Sequence, residues 1–244
     1  MAHGSRHSGV APAIERLLGA CSAAEGIPTR AAYLDLAEPD LTTVALELAS
    51  VGHRAAVVVP LLFTNAFHAT VDVPDAIAAA SAASGLDLHL AAILGTGDDV
   101  ADVLSAAMAE FGVGANESVL LFAVGSSNAE ANAAVDDLAA RLATRRHGLV
   151  RVGFGTAAPR ADAVLDDLVE SGAGMAQIVI VPLFVAPGLL LDPVQAKARE
   201  HGWVMTPPLA ERVASIVMRR YGDRTGDRKG DRTGDRTAVP SSLG

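Results

Sequence analysis

Cysteine is almost absent from this sequence: Cys21 is the only one in 244 residues. A disulfide framework within the chain is impossible, and a cysteine-based metal cluster is implausible. Cys21 sits in a helical stretch and reads as a small buried apolar residue. Aromatic residues are also scarce, at 4%, although half the residues are apolar. The core must therefore be built from Ala, Val and Leu, a composition that suits helices packed on parallel strands. An excess of positive charge is missing too. The formal charge is −9, which argues against a nucleic-acid partner, because such binding needs a basic face to displace counterions. The apolar runs are short and bounded by Pro or Gly, so none spans a bilayer. The first residues lack a basic segment followed by an apolar one, so a cytoplasmic protein with no membrane partner is expected. No Walker-type phosphate loop and no Gly-x-Gly-x-x-Gly after a strand occurs.

What is present is an alternation of short β-branched runs with Ala/Leu-rich helical stretches. The pattern predicts strands over Thr29–Leu34, Ala55–Pro60, Leu86–Ile93, Ser118–Val124, Leu149–Phe154 and Gln177–Pro182. It predicts helices over Val10–Ala24, Asp40–Ser50, Val73–Ser84, Ala101–Phe111, Ala129–Arg145, Ala161–Ser171, Pro193–Glu200 and Pro208–Tyr221. Such alternation reads as βαβ units and mostly parallel sheets flanked by helices. Functional loops then belong at the carboxyl ends of the strands. Asp72, before Val73-Pro74, is expected to cap the helix that follows. Ser127 or Asn128 is expected to cap the helix beginning at Ala129.

The chain also repeats itself. Gly4-Ser5 matches Gly125-Ser126, Ala37-Glu38-Pro39 matches Ala157-Ala158-Pro159, and Val59-Pro60-Leu61 matches Val181-Pro182-Leu183, at offsets of 121, 120 and 122. Three matches in order at nearly constant offset imply two homologous α/β domains. We divide the chain into a first domain over 1–113, a second over 114–221 and a tail over 222–244. The tail opens on four Asp and five Arg/Lys, with no apolar residue among 222–237, and is expected to be disordered. The repeat exposes one irregularity. A strand precedes Gly125-Ser126, whereas only Met1-Ala2 precede His3. Either a strand of about five residues lies upstream of a misassigned start, the reading we favour, or the first sheet is one strand short.

Three residues stand out as candidates for chemistry: His3, Glu38 and His68. Each falls just beyond a predicted strand, where a parallel sheet gathers residues distant in sequence. Two imidazoles and a carboxylate suit a divalent transition metal with open positions, and imidazole is also a base near neutral pH. The bland alternatives are a solvated loop histidine and, for Glu38, an acidic residue opening the next helix. Against them stands differential loss. In the second repeat the three align with Val124, Ala158 and about Leu190, while the structural Gly, Ser and Pro persist. His7, His53, His89, His147 and His201 are read as solvated or locally hydrogen-bonded.

The blocks His3-Gly4-Ser5-Arg6, Tyr33 to Pro39, and Val59-Pro60-Leu61-Leu62 through His68 to Asp72-Val73-Pro74 resemble, in order and spacing, the CbiX/SirB family of sirohydrochlorin chelatases. The resemblance covers about residues 1–220 and matches the duplicated long form with a degenerate second half. It implies two chelatase-like domains and a lyase that inserts Fe²⁺ into sirohydrochlorin for sirohaem synthesis, without ATP and with no cofactor beyond the substrate metal. A cobalt-inserting enzyme of cobalamin synthesis, or a non-catalytic carrier of metal or tetrapyrrole, are the alternatives. By matching position His3 and His68 would handle the metal and accept protons, with Glu38 as supporting carboxylate. Gly4, Ser5, Arg6 and Asn65 would meet the tetrapyrrole. Arg6 is the candidate for charge-assisted bonds to its carboxylates; a solvated loop arginine is the other reading. The chain departs from the family in the missing first strand and at Thr64-Asn65-Ala66-Phe67, where a Gly and a Tyr are common. A duplicated chain of this kind is expected to be a monomer whose halves imitate a dimer, with an oligomer as the alternative.

Overall fold

In a computed structural model, residues 1–65, 71–171 and 178–226 are described. Helices α1 (Val10–Glu25) and α2 (Leu41–Ser50) precede strand β1 (Ala55–Val58). Next come α3 (Val73–Ser84), β2 (Asp87–Leu90), α4 (Asp98–Glu110), β3 (Ser118–Ala123), α5 (Ala129–Ala143), β4 (Val150–Phe154) and α6 (Ala161–Glu170). The chain continues through β5 (Ile178–Pro182), α7 (Leu191–His201), β6 (Val204–Met205), a 3-10 turn over Ala210–Val213 and α8 (Ala214–Thr225). All pairings between these strands are parallel: β1 with β2, and β4-β3-β5-β6 in the second half. This is the α/β architecture of parallel sheets flanked by helices that the sequence implied.

The central strand β3 shows why. Its six residues, Ser-Val-Leu-Leu-Phe-Ala, are all buried, as a strand covered on both faces must be. Leu120 and Phe122 point with Ile178 and Ile180 towards Val164, Leu165 and Leu168 of α6 and Val194 of α7. Val119 and Leu121 point the other way, into a core that also holds Ile14 and Leu17 of α1, Leu104 of α4 and Leu138 of α5. The two halves therefore share one core. Helix α4, from the first half, packs on α5, and α8, from the second, packs on α1. Arg220 of α8 fastens this exchange: its guanidinium donates to Ile93 O at 2.9 Å, to Leu94 O at 2.6 Å and to Asp99 at 2.8 Å.

Backbone hydrogen bonds confirm the repeat register. Leu34 N–H donates to Ala2 O and Asp35 N–H to His3 O, both at 2.9 Å; Gly155 N–H donates to Ala123 O at 2.9 Å and Thr156 N–H to Val124 O at 2.8 Å. Tyr33 N–H to Pro39 O and Phe154 N–H to Pro159 O repeat at 2.9 Å, and the Glu38-Pro39 and Ala158-Pro159 peptides are both cis. His3 thus aligns with Val124 and Glu38 with Ala158.

Four expectations need correction. Thr29–Leu34 is not a strand; only Tyr33 forms isolated bridges, to Ala2 and Asp40. Its counterpart β4 is a strand because β3 lies beside it, and in the first half only Met1 and Ala2 occupy that lane. Asp72 does not cap α3: its backbone is already helical, at φ −65° and ψ −38°, with no side-chain capping bond. The last predicted helix is two elements, a 3-10 turn and then α8. That helix runs on to Thr225, so residues 222–225 are ordered helix and not tail; residues 227–244 lie outside the described part. Cys21 is buried as expected, and burial pushes its thiol pKa up.

Candidate active site

The carboxyl ends of the strands open on a cleft of about 620 Å³ between the two halves. His3, Gly4 and Ser5 form part of one wall, with Leu61–Thr64 beyond β1. Val124–Ser127 and Leu183–Leu190 form the other. Among the described residues that line it, His3 is the one ionisable side chain. The rest of the wall is apolar or neutral, and Val124, Leu189 and Leu190 leave 44%, 62% and 37% of their surface exposed.

The turn that carries His3 is held by its glycine. Gly4 has φ +94°, and a Cβ there would lie 1.9 Å from Asp35 O and 3.4 Å from Ala37 Cβ. A side chain would thus collide with the 35–37 loop, and only glycine adopts this backbone easily. Gly125 repeats the arrangement at φ +85°, against Phe154 and Ala157. Next to Gly4, Ser5 Oγ accepts the His7 N–H at 3.2 Å, and His7 Nδ1 accepts the Gly9 N–H at 3.0 Å. In the second half Ser126 Oγ accepts the Asn128 N–H at 3.0 Å, and Asn128 Oδ1 accepts the Glu130 N–H at 2.9 Å. Asn128 is the expected cap of α5. His7, read as a locally hydrogen-bonded residue, makes the matching bond just ahead of α1, whose N-cap is Gly9 and carries no side-chain capping bond. Its Nε2 also lies 3.5 Å from Asp192 Oδ1 of α7.

The remaining candidates are placed as follows. Glu38 is exposed and is not among the residues lining the cleft; its Oε2 accepts the Asp40 N–H at 3.2 Å, beside the start of α2. The loop that carries it nonetheless abuts the Gly4 turn. Arg6 is exposed. Asn65 is exposed at the cleft's edge, where its carbonyl accepts from Asn128 Nδ2 at 3.5 Å, a long bond between the halves. His68 lies outside the described residues. Among the described residues no three His, Cys, Asp or Glu side chains converge as a metal-holding group. The second half's share of the wall was missed in the sequence. Its signal was there, since Gly125-Ser126-Ser127 stands at the repeat distance from Gly4-Ser5-Arg6.

A family model described as CbiX matches this chain twice, over residues 1–111 and 118–223. No curated protein matches it by sequence. Among solved structures it resembles SirB from Bacillus subtilis with Fe³⁺, at 20% identity and a TM-score of 0.73, covering 94% of this chain and 96% of that one. A sirohydrochlorin chelatase SirB from Bacillus subtilis subspecies spizizenii, in complex with cobalt, gives a TM-score of 0.75 at 20% identity, over 94% and 95% of the two chains. A CbiX described as the terminal enzyme of sirohaem biosynthesis in denitrifying bacteria gives 0.56 at 14% identity, over 91% and 96%. With the family pattern met in both halves, and the fold shared along nearly the whole length, this chain belongs to the CbiX family.

Proposed function

We propose that the chain is a sirohydrochlorin chelatase that inserts a divalent metal, Fe²⁺ before Co²⁺, into the macrocycle. The observation that carries this reading is the setting of His3: the one ionisable group among the described residues of a largely apolar cleft whose opposite wall is its own retired copy. Exposed Val124, Leu189 and Leu190 are unfavourable next to water and suit the face of a flat macrocycle. Two pyrrole N–H protons must leave as the metal enters. A neutral imidazole can accept a proton or ligate the arriving ion. The Nδ1 atom of His3 is buried, so contact with substrate falls to Nε2. His68 is proposed as the second metal and proton ligand. Glu38 would support them after giving up its bond to the Asp40 amide. Gly4, Ser5, Arg6 and Asn65 are proposed to meet the tetrapyrrole, Arg6 through its carboxylates.

In this reading the first half, 1–113, carries the chemistry, and the second, 114–221, supplies a wall. Metal–nitrogen bond formation drives the reaction, so no nucleotide is required. A cytoplasmic monomer accords with the shared core, and no helix among the described residues is long and apolar enough to cross a membrane. The two SirB structures, one with iron and one with cobalt, favour testing both metals. Anaerobic turnover of sirohydrochlorin, followed by its absorption spectrum with Fe²⁺ and Co²⁺ in parallel, is the test. Enzyme-dependent conversion with either metal supports the reading. Tight binding of metal or macrocycle with no acceleration would replace it with a carrier.

A further inference from the structure

The loop packed against the His3 turn is one residue longer than its copy in the second half. Tyr33 N–H reaches Pro39 O, six residues on, whereas Phe154 N–H reaches Pro159 O, five residues on. The extra residue can be located. Asp35 pairs with Thr156, because their N–H groups donate to His3 O and Val124 O. Ala37 pairs with Ala157, because each lies against the glycine of its turn: a Cβ on Gly4 would be 3.4 Å from Ala37 Cβ, and one on Gly125 would be 3.0 Å from Ala157 Cβ. Leu36 is what remains, and it has no counterpart in the second half.

Two properties of Leu36 conflict with its residue type. Its backbone is left-handed, at φ +59°, where the Cβ of an ordinary residue crowds the following carbonyl and glycine or asparagine is the usual occupant. Its side chain is large and apolar, yet 49% of the residue is exposed. The Leu36 N–H donates to Asp35 Oδ1 at 2.7 Å, a bond that glycine or asparagine at 36 would make equally. Leucine is therefore the costly choice for both the backbone and the solvent. Its place is specific. The Asp35 carbonyl, which leads into Leu36, is the atom a Cβ on Gly4 would strike. Gly4 lines the cleft beside His3; Leu36 is not itself among the lining residues and stands on the loop that abuts them.

We propose that Leu36 is a substrate contact: an apolar side chain held out beside the His3 turn, where it packs on the rim of the tetrapyrrole and fixes the ring over His3. The inference rests on the chelatase reading and names a residue that this reading does not use. A tetrapyrrole is wider than the turn that bears His3, so a ring seated there extends over the adjoining loop. Burial of the leucine against the ring favours binding, and the strained backbone is kept because it places that side chain. The second half presents no reactive side chain and lacks the extra residue.

The test is anaerobic titration of the full chain with sirohydrochlorin, no metal added, read from the absorption of the macrocycle. Leu36→Gly, Leu36→Asn and Leu36→Met are compared with the parent, and each is melted alongside. Glycine and asparagine accept the left-handed backbone, so both variants should melt within about 2 °C of the parent or higher. Their dissociation constants should nonetheless rise at least about 10-fold, as the loss of a buried apolar side chain requires. Leu36→Met stays apolar at similar volume and should bind within about 3-fold of the parent. Parent-like affinity in the glycine and asparagine variants would overturn the inference and leave the chelatase reading standing. Weaker binding with a melt lowered by more than that margin would make Leu36 a packing residue of its loop, and would overturn the inference as well. A parent chain that does not bind sirohydrochlorin would overturn the chelatase reading, and this inference with it.

Discussion

His7 and Asn128 hold one position of the fold, once in each half. Each donates its own N–H to the hydroxyl of a serine two residues back, and its side chain accepts the N–H two residues ahead. Asparagine is a common helix cap, and histidine matches it here only through the lone pair of Nδ1. His7→Asn should therefore keep the melting temperature close to that of the parent. His7→Ala removes one hydrogen bond and should cost about 1 kcal/mol, read from urea unfolding. Equal losses in both variants would show that this hydrogen bond contributes nothing.

Gly4 and Gly19 predict opposite outcomes for the same substitution. Gly4→Ala forces a Cβ into Asp35 O at a left-handed φ, and should lower stability and displace the turn bearing His3. Gly19 lies in α1 with open space around it, so Gly19→Ala should stabilise by about 1 kcal/mol. Thermal melts of the two variants check both signs.

The Arg220–Asp99 pair is the main polar link in the helix exchange, with side chains only 17% and 10% exposed. Arg220→Ala leaves Asp99 and two carbonyls without that donor, and should cost about 3 kcal/mol. Arg16, paired with Glu211 at the surface, provides the contrast: Arg16→Ala should cost less than about 1 kcal/mol. Urea midpoints of the two variants decide.

A pH dependence follows from Asp40. Hydrogen bonds from the Thr43 side chain and amide hold its carboxyl below the ordinary carboxylate value. The folded state thus favours the ionised form. The resulting stabilisation is present above the unfolded pKa and is lost as pH falls through the lower, folded one. Asp40→Asn should be less stable than the parent at pH 6, with the gap narrowing as pH falls below the ordinary Asp value of about 4. A gap that stayed constant across that range would contradict it.

Much of this molecule was legible because its signals are local. The apolar run of β3, the Val-Pro end of β5 and the Ala-rich helices need only periodicity and composition. The halves could be aligned because Gly4 and Gly125 meet the same steric demand. What failed depended on neighbours. Residues 29–34 have strand composition, yet a parallel strand needs a partner, and the lane beside them is filled only at Met1 and Ala2. Helix α4 begins at Asp98, three residues earlier than periodicity placed it, because Asp98 and Asp99 suit the positive end of a helix. Glu38 follows a strand-like run in the sequence, but its carboxylate turns to the Asp40 amide. The second half's wall was hidden because it brings no reactive side chain, only shape.

The central claim is that chemistry resides on the first half's wall alone. The direct test is kcat for metal insertion in His3→Ala and Val124→Ala, with melting temperatures measured alongside. The account predicts a loss of at least about 100-fold for His3→Ala with an unchanged melt, and at most a change in KM for Val124→Ala. Full turnover in His3→Ala, or an equal loss from both substitutions, would contradict it.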